Sequence, residues 1–217
     1  MKLATVLLSI STALYVTACG QPSTTALMDK GSFAMWQGRW SDAAASYSEI
    51  TKMHPGDWEA HFHLGQCLLE LGDPHGAAAS LEIANTIVPD SIEVSDLLAD
   101  SYLALGDENT LFTFLETTAN ERQTVRAWTR FAEYSMAVSD PDNAMMAINT
   151  AIALGGETTA KPYIVAATFA EQLGDDSLAV TRLKEAWSID ATNQQVADAL
   201  RGYGEIPGPT MTGAVGD

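Results

Sequence analysis

The sequence predicts an all-α fold, a solenoid in which helical hairpins stack side by side in one row. The first observation is a repeat: small residues recur at an interval of 34 along the chain, at Gly31, Gly65 and Ala99 and again at Gly38, Gly72 and Gly106. The second is composition, because 47% of the residues are hydrophobic, which is enough for a core between neighbouring hairpins. A fixed period of this length is typical of stacked repeat arrays.

Each position of the repeat has a structural reason. Glycine inside a helix costs about 1 kcal/mol relative to alanine, so the series at Gly31 and Gly65 predicts a close crossing by a second helix. The glycine seven residues later predicts a left-handed end to the first helix. The alanine five residues after it is expected to face the crossing, and the prolines at 55 and 89 are expected to close the units. We therefore predict two antiparallel helices of about 12 to 14 residues per unit.

This pattern resembles the tetratricopeptide repeat. In the second unit the likeness is carried by Leu64, Gly65, Gly72, Ala77, Leu81, Ala84 and Pro89. In the first unit it is carried by Gly31, Gly38, Trp40, Ala43, Tyr47 and Pro55. The third unit resembles the pattern less closely, since Leu111 and Thr118 replace two alanines. The fourth unit has Ser139 where glycine is usual.

The resemblance implies a right-handed superhelical α-solenoid of about five tetratricopeptide hairpins plus a C-terminal capping helix. The expected units are residues 24–57, 58–91, 92–124, 125–158 and 160–193. A capping helix is expected over 194–203, followed by a flexible tail over 204–217, where glycine and proline dominate. The aspartates after the bends are predicted helix N-caps: Asp73, Asp107, Asp140 and Asp175.

The first 23 residues form a separate segment. Lys2, the apolar run from Leu3 to Val16 and the small residues before Cys19 predict a signal peptide over residues 1–18. The run is too short for a membrane-spanning helix. Residues 16–19 also resemble the lipobox of bacterial lipoproteins, which implies a lipid on Cys19 and a short tether over 19–23. The alternative is an ordinary secretory peptide with an incidental cysteine.

The resemblance to lipoproteins also implies a location. Gly20 follows the cysteine where aspartate would retain such a protein in the inner membrane. The expected location is therefore the bacterial cell envelope, with the protein anchored by lipid to the outer membrane and facing the periplasm.

The charge balance excludes some partners. The chain has 11 Lys and Arg against 28 Asp and Glu, a net charge of −17. This acidic surface argues against nucleic acid, whose phosphates need a basic face, and against electrostatic docking on anionic lipid. A protein or peptide partner with a basic segment is compatible with it, and so is a surface that is merely well solvated.

The sequence contains no motif that indicates catalysis, neither a glycine-rich phosphate loop nor a nucleophile elbow. His63 and Cys67 are four residues apart on one helical face, where they can contribute two zinc ligands. Two ligands do not make a site, and the simpler interpretation of Cys67 is a small buried hydrophobe. We predict no enzyme, metal or cofactor, and keep a metal or enzymatic role for these two residues as the least favoured alternative.

The resemblance further implies that the first helices line a concave groove, with contacts from the second, fifth, ninth, twelfth and thirteenth positions of each unit. The candidate partner-binding residues are Met28, Met35, Trp36, Phe62, Gln66, Glu70, Glu93, Asp96, Asp100 and Glu133. Two alternatives stay open: the methionine and tryptophan stripe can be packing, and the central carboxylates can be a solvated face. The carboxylate clamp of chaperone-binding relatives is absent, because its positions hold Met28, Ser32, Phe62 and Gln66.

The predicted function is a non-enzymatic protein-interaction scaffold, anchored by lipid at the bacterial envelope, that holds a partner segment in the groove. A more specific alternative is an assembly factor for an envelope machine, in pilus biogenesis, secretin targeting or outer-membrane protein insertion.

Overall fold

A computed structural model describes residues 22–155, 157–208 and 211, and within these residues the chain forms eleven helices and no strand. The helices are α1 (Thr24–Trp36), α2 (Trp40–Met53), α3 (Trp58–Glu70), α4 (Pro74–Ile87), α5 (Ile92–Leu105), α6 (Glu108–Arg122), α7 (Val125–Ala137), α8 (Pro141–Gly155), α9 (Lys161–Gln172), α10 (Asp176–Ile189) and α11 (Gln194–Gly202). Consecutive helices pair into five hairpins, neighbouring hairpins pack on one another, and α11 packs on α10. The predicted all-α solenoid with a capping helix is confirmed.

The recurring glycines lie where the two helices of a hairpin touch. A Cβ atom placed on Gly65 would lie 2.5 Å from Cγ of Leu81, and one on Gly31 would lie 2.7 Å from Cζ of Tyr47. Tyr47 and Leu81 occupy equivalent positions in their second helices, and both side chains are fully buried. A large side chain of the second helix therefore rests directly on bare backbone of the first, which explains why the sequence repeats glycine at this point.

The bends between paired helices use left-handed backbone. Gly38, Gly72, Gly106 and Gly174 have φ values of 70°, 74°, 68° and 75°, as the sequence predicts for the first three of them. In the fourth hairpin Ser139 takes the same conformation, with φ 62°. Because this conformation costs about 1–2 kcal/mol for a residue that has a Cβ atom, Ser139 is a strained position.

The aspartates after the bends cap the second helices, as predicted. The side chains of Asp73, Asp107, Asp140 and Asp175 accept hydrogen bonds from the backbone N–H three residues later, at 3.0, 3.2, 3.1 and 2.9 Å. The first hairpin has Arg39 at this position, and its side chain makes no capping bond.

The third hairpin is packed less closely than the others. Leu111 is fully buried at a position where the other second helices have alanine, and Thr118 replaces a second alanine. The larger side chains hold α5 and α6 further apart. The departure from the repeat that is visible in the sequence therefore has a direct structural result, a cleft beside this hairpin.

The C-terminal end is covered by α11, which buries Val196, Ala197 and Leu200. The segment that follows lies against α10: Lys184 Nζ is 2.8 Å from Glu205 Oε1, and the Trp187 indole donates to the Gly208 carbonyl at 3.3 Å. The start of the predicted flexible tail therefore makes side-chain and backbone contacts. Residues 209, 210 and 212–217 of that tail, the predicted leader through residue 21 and Gly156 lie outside the described residues.

Replacing Gly65 by alanine tests the helix crossing. We expect Gly65→Ala to lower the free energy of unfolding by about 1–3 kcal/mol, because the new methyl group overlaps the fully buried side chain of Leu81, which must shift. Chemical denaturation measures the loss. The matched control is Gly202→Ala, where no atom lies within 4 Å of the added Cβ, and equal stability of the two variants would show that the crossing is elsewhere.

Replacing Ser139 by glycine tests the strained bend. We expect Ser139→Gly to raise the free energy of unfolding by about 0.5–1 kcal/mol, since glycine adopts positive φ without the steric cost of a Cβ atom. The control Ser177→Gly, at an exposed helical position of α10, is expected to lower it instead. The bend is unstrained if both variants lose stability in thermal denaturation.

Candidate protein-binding face and cleft

The first helices of the hairpins, α1, α3, α5, α7 and α9, form one surface, which we call the first-helix face. Neighbouring members touch directly, α3 with α5 and α7 with α9, and side chains connect α5 to α7. All candidate partner-binding residues between Met28 and Glu133 belong to these helices. Their use as a binding site stays a prediction, and the structure shows what each side chain contacts.

At the N-terminal end of this face the two methionines are half-buried and pack against the core of the first hairpin. The hydroxyl of Tyr47 also donates to the sulfur of Met35 at 3.3 Å. Trp36 differs, because 80% of its surface is exposed. Met28 and Met35 therefore contribute to packing, the alternative left open by the sequence, whereas Trp36 is free to meet a ligand.

On α3 the candidate residues divide between packing and solvent. Phe62 is half-buried against the central core, with its ring centre 5.2 Å from that of His63. Gln66 is half-buried and Glu70 is exposed. Of these three, Glu70 is the side chain most open to a partner.

His63 and Cys67 are explained by packing. The imidazole of His63 stacks on the ring of Tyr47 at 5.2 Å. The Cys67 thiol is fully buried, and burial raises its pKa to about 11, so it stays protonated at neutral pH and is a poor nucleophile. Among the described residues no group of three or more potential ligand side chains is placed to hold a metal ion.

The acidic residues in the middle of the face are paired with basic ones. Asp96 accepts from Arg130 Nε at 2.9 Å and from Arg126 Nη2 at 3.2 Å, which joins α5 to α7. Glu133 lies 3.4 Å from Arg130 Nη1 and 2.7 Å from Lys161 Nζ, which joins α7 to α9. These carboxylates therefore brace three first helices, and their negative charge is largely neutralised.

Tyr134 completes this network. Its hydroxyl donates to Asp100 Oδ1 at 2.5 Å and accepts from Arg130 Nη2 at 2.8 Å, and the guanidinium lies 4.8 Å from its ring centre. Burial, followed by the bond to Asp100, raises the pKa of Tyr134 far above its usual value, so the phenol remains a donor.

Two members of the network, Arg130 and Tyr134, were missed from the sequence. They stand at the sixth and tenth positions of their unit, outside the positions that the resemblance implies for the groove. The spacing of these residues could have indicated the contacts. Arg130 follows Asp96 by 34 residues and Tyr134 follows Asp100 by 34, which is one repeat in each case.

Glu93 lies outside the network formed by Asp96, Glu133 and their basic partners. It is exposed, takes part in no ion pair within the described residues, and accepts a hydrogen bond from Ser91 Oγ at 3.1 Å. Its own backbone N–H, then Ser91, lowers the pKa of this carboxyl, so it is charged at neutral pH. Among the candidates, Glu70, Glu93 and Asp100 are therefore exposed acids without a basic partner in the described residues, and Asp100 accepts a hydrogen bond from the neutral Tyr134 phenol.

A cleft of about 470 Å³ opens where α5, α6 and α7 meet. Its apolar walls are Ile92, Ala99, Phe114, Leu115 and Ala127. Three arginines line it as well, 122, 126 and 130, out of the 11 Lys and Arg in the whole chain. An apolar pocket with a few convergent polar groups is the usual form of a ligand site.

The edge of this cleft is held rigidly. Arg122 Nη2 donates to the carbonyl of Pro89 at 2.5 Å and to Ser95 Oγ at 2.7 Å, which ties the end of α6 to the start of α5. Gln123, the next residue, has φ 49°, a left-handed conformation that is unfavourable for a side chain of this size. Backbone strain of this kind is concentrated at functional sites in folded proteins.

Comparison with known proteins agrees with this fold. Residues 29–92 match the sequence profile of a family described as "Tetratricopeptide repeat". MamA has a TM-score of 0.59 at 19% identity, covering 86% of this chain and 98% of its own. PilW, described as a widely conserved type IV pilus biogenesis factor, has a TM-score of 0.59 at 14% identity, covering 82% of this chain and 83% of its own.

A thermophilic tetratricopeptide-repeat protein of Thermus thermophilus is also similar, with a TM-score of 0.54 at 16% identity over 83% of this chain and 98% of its own. No curated protein matches the sequence. The fold defines the class of protein, a solenoid of helical hairpins. Residues 29–92 match the tetratricopeptide repeat, and the chain as a whole has the fold of tetratricopeptide-repeat solenoids.

Reversing one paired and one unpaired carboxylate tests the ion-pair network. We expect Asp96→Lys to lower the free energy of unfolding by about 1–3 kcal/mol, because it leaves half-buried Arg130 facing a like charge. We expect Glu93→Lys, the matched control on the same helix, to lower it by less than about 1 kcal/mol, the effect of a reversed charge in the first turn of an exposed helix end. Equal melting temperatures for Asp96→Lys and the unaltered protein would mean that the network does not brace the helices.

Proposed function

We propose that the protein is a non-enzymatic scaffold that holds a segment of a protein partner on the first-helix face, with one large apolar side chain of that segment in the cleft. The cleft is the observation on which this proposal depends. Its walls are apolar, and the side chain of Arg122 at its edge is held by hydrogen bonds. Arg130, a member of the ion-pair network, also lines it. Buried anchor side chains in such pockets contribute most of the affinity at protein interfaces.

The charge distribution suggests the rest of the partner. Asp96 and Glu133 are paired with arginine and lysine, and Asp100 accepts a hydrogen bond from the Tyr134 phenol, whereas Glu70 and Glu93 are exposed glutamates without a basic partner in the described residues. We propose that a basic portion of the partner contacts these two unpaired glutamates. The net charge of −17 would accelerate the approach of such a partner and make association sensitive to salt.

We further propose that the protein acts at the bacterial envelope, anchored through a lipid on Cys19 to the outer membrane and facing the periplasm. The support comes from the sequence, namely the leader-like residues 1–18 and the lipobox-like residues 16–19. No helix in the described part of the chain is long and apolar enough to cross a bilayer.

A narrower candidate is an assembly factor for an envelope machine. It is supported by the leader together with the likeness to PilW, which spans 82% of this chain and is a likeness of fold. Recovery of a secretin, pilus or barrel protein on the first-helix face would favour this candidate over a general scaffold.

Site-specific photocrosslinking in the native cell tests the scaffold. With a benzophenone amino acid in place of Glu121, at the rim of the cleft, we expect one discrete protein adduct. The same probe in place of Met145, which is 52% exposed on the outer helix α8, is the matched control and should give none.

A blocking variant makes this experiment specific to the cleft. Thr118→Phe places a ring in the cleft, so we expect the adduct at residue 121 to fall at least tenfold while the helical circular dichroism is unchanged. An adduct of equal yield in the blocked protein would contradict the role of the cleft.

Changing Cys19 tests the anchor. We expect the unaltered protein to fractionate with membranes and to carry a diacylated N-terminal cysteine by mass spectrometry, and Cys19→Ser to lose the acyl groups. A mature protein that begins elsewhere and carries no lipid would contradict the anchor without affecting the cleft.

A further inference from the structure

Two aromatic rings on α1 are exposed side by side. Trp36 is 80% exposed and Phe33 is 54% exposed, and their rings stack with centres 5.9 Å apart. Single exposed apolar residues are common on proteins, but a stacked aromatic pair with this exposure is a feature of docking surfaces. Within the described residues no other element covers these two rings.

This pair lies close to the proposed attachment point. Four residues lie between Cys19 and Thr24, the first residue of α1, so the five steps along the chain span at most about 17 Å when fully extended. From Thr24 to Trp36 the helix is about 18 Å long. If Cys19 is held at a bilayer surface, α1 can lie along that surface with both rings against the lipid.

The charge of the first hairpin is also compatible with contact to a bilayer. The first hairpin, residues 24–53, has a net charge of zero, whereas the whole chain carries −17. Its charged side chains are Asp29, Lys30, Arg39, Asp42, Glu49 and Lys52. The acidic remainder of the surface is repelled by anionic headgroups, and this end is not. Lys30 stands three residues before Phe33, so both project from the same side of the helix, where a lysine can extend to lipid phosphates.

We propose that Phe33 and Trp36 form a lipid-contact site, with both rings at the boundary between headgroups and acyl chains beside the anchored N-terminus. The occupant is the bilayer that carries the anchor, and the inference rests on the lipid anchor proposed above. Tryptophan is favoured at this boundary because its ring is apolar and its N–H remains hydrated. The contact would hold the first hairpin on the membrane and place the cleft two hairpins away from it.

Quenching by brominated lipid tests the proposal. The full-length protein, produced with its leader and extracted from membranes, is reconstituted into phosphatidylcholine vesicles with or without bromine on the acyl chains. Bromine quenches only indole rings that approach the chains. We expect brominated vesicles to lower the emission of the unaltered protein, and we expect Trp36→Phe to abolish this decrease.

The chain provides a matched control. It has five tryptophans, and Trp58 is 38% exposed at the start of α3, so Trp58→Phe should leave the quenching unchanged. We expect Phe33→Ser to reduce the quenching at least twofold, because the neighbouring ring no longer enters the lipid.

The results of the quenching experiment distinguish failure of the lipid contact from failure of the lipid anchor. Protein that floats with the vesicles but shows no quenching, or the same quenching in Trp36→Phe, overturns the lipid contact alone; pairing of two copies through these rings would give that result. Protein that does not associate with the vesicles overturns the anchor and the lipid contact together.

Discussion

The close approach of two helices at bare backbone is the constraint on which the whole structure depends. In the first two hairpins a fully buried side chain, Tyr47 or Leu81, occupies the space that a Cβ atom would need on Gly31 or Gly65. Such a contact requires a sharp bend, which the left-handed glycines supply, and a second helix that starts at once, which the capping aspartates ensure. A hairpin cannot bury its outer faces alone, so neighbours stack and each depends on the next.

In the third hairpin the paired helices pack less closely, and the cleft that we propose as the binding site lies beside them. The fully buried Leu111 is larger than the alanine it replaces, and α5 and α6 pack less closely than the helices of the other hairpins. Thr118 lines the cleft beside them. The arginines of α7 then connect it to α5 through Asp96, across the part of the array where helix packing is weakest. Half-exposed ion pairs contribute modest stability, so their main effect here is to fix the relative position of the helices.

The exposed aromatic pair, the cleft and the capping helix lie in different parts of the array, which suggests that each part has its own role. The exposed aromatic pair lies in the first hairpin, the cleft and the ion-pair network lie in the third to fifth hairpins, and α11 with residues 205–208 covers the last one. A scaffold held to a membrane at one end presents its binding site away from the lipid, where a partner can reach it. The acidic character of the chain is compatible with this arrangement, since the end with least negative charge is the one next to the proposed anchor.

The sequence by itself determined the fold, because its features are local: a glycine at a contact, a glycine at positive φ and an aspartate at a helix start recur at intervals of 33 to 35 residues. It also indicated where the repeat is irregular, at Leu111, Thr118 and Ser139. The charge pairing on the first-helix face was decided only by the tertiary structure. Asp96 and Glu133 look like free acids until Arg126, Arg130 and Lys161 are placed beside them by the stacking of separate units. The cleft had the same origin, since a space between three helices depends on how far their side chains hold them apart, and no single segment of sequence contains that distance.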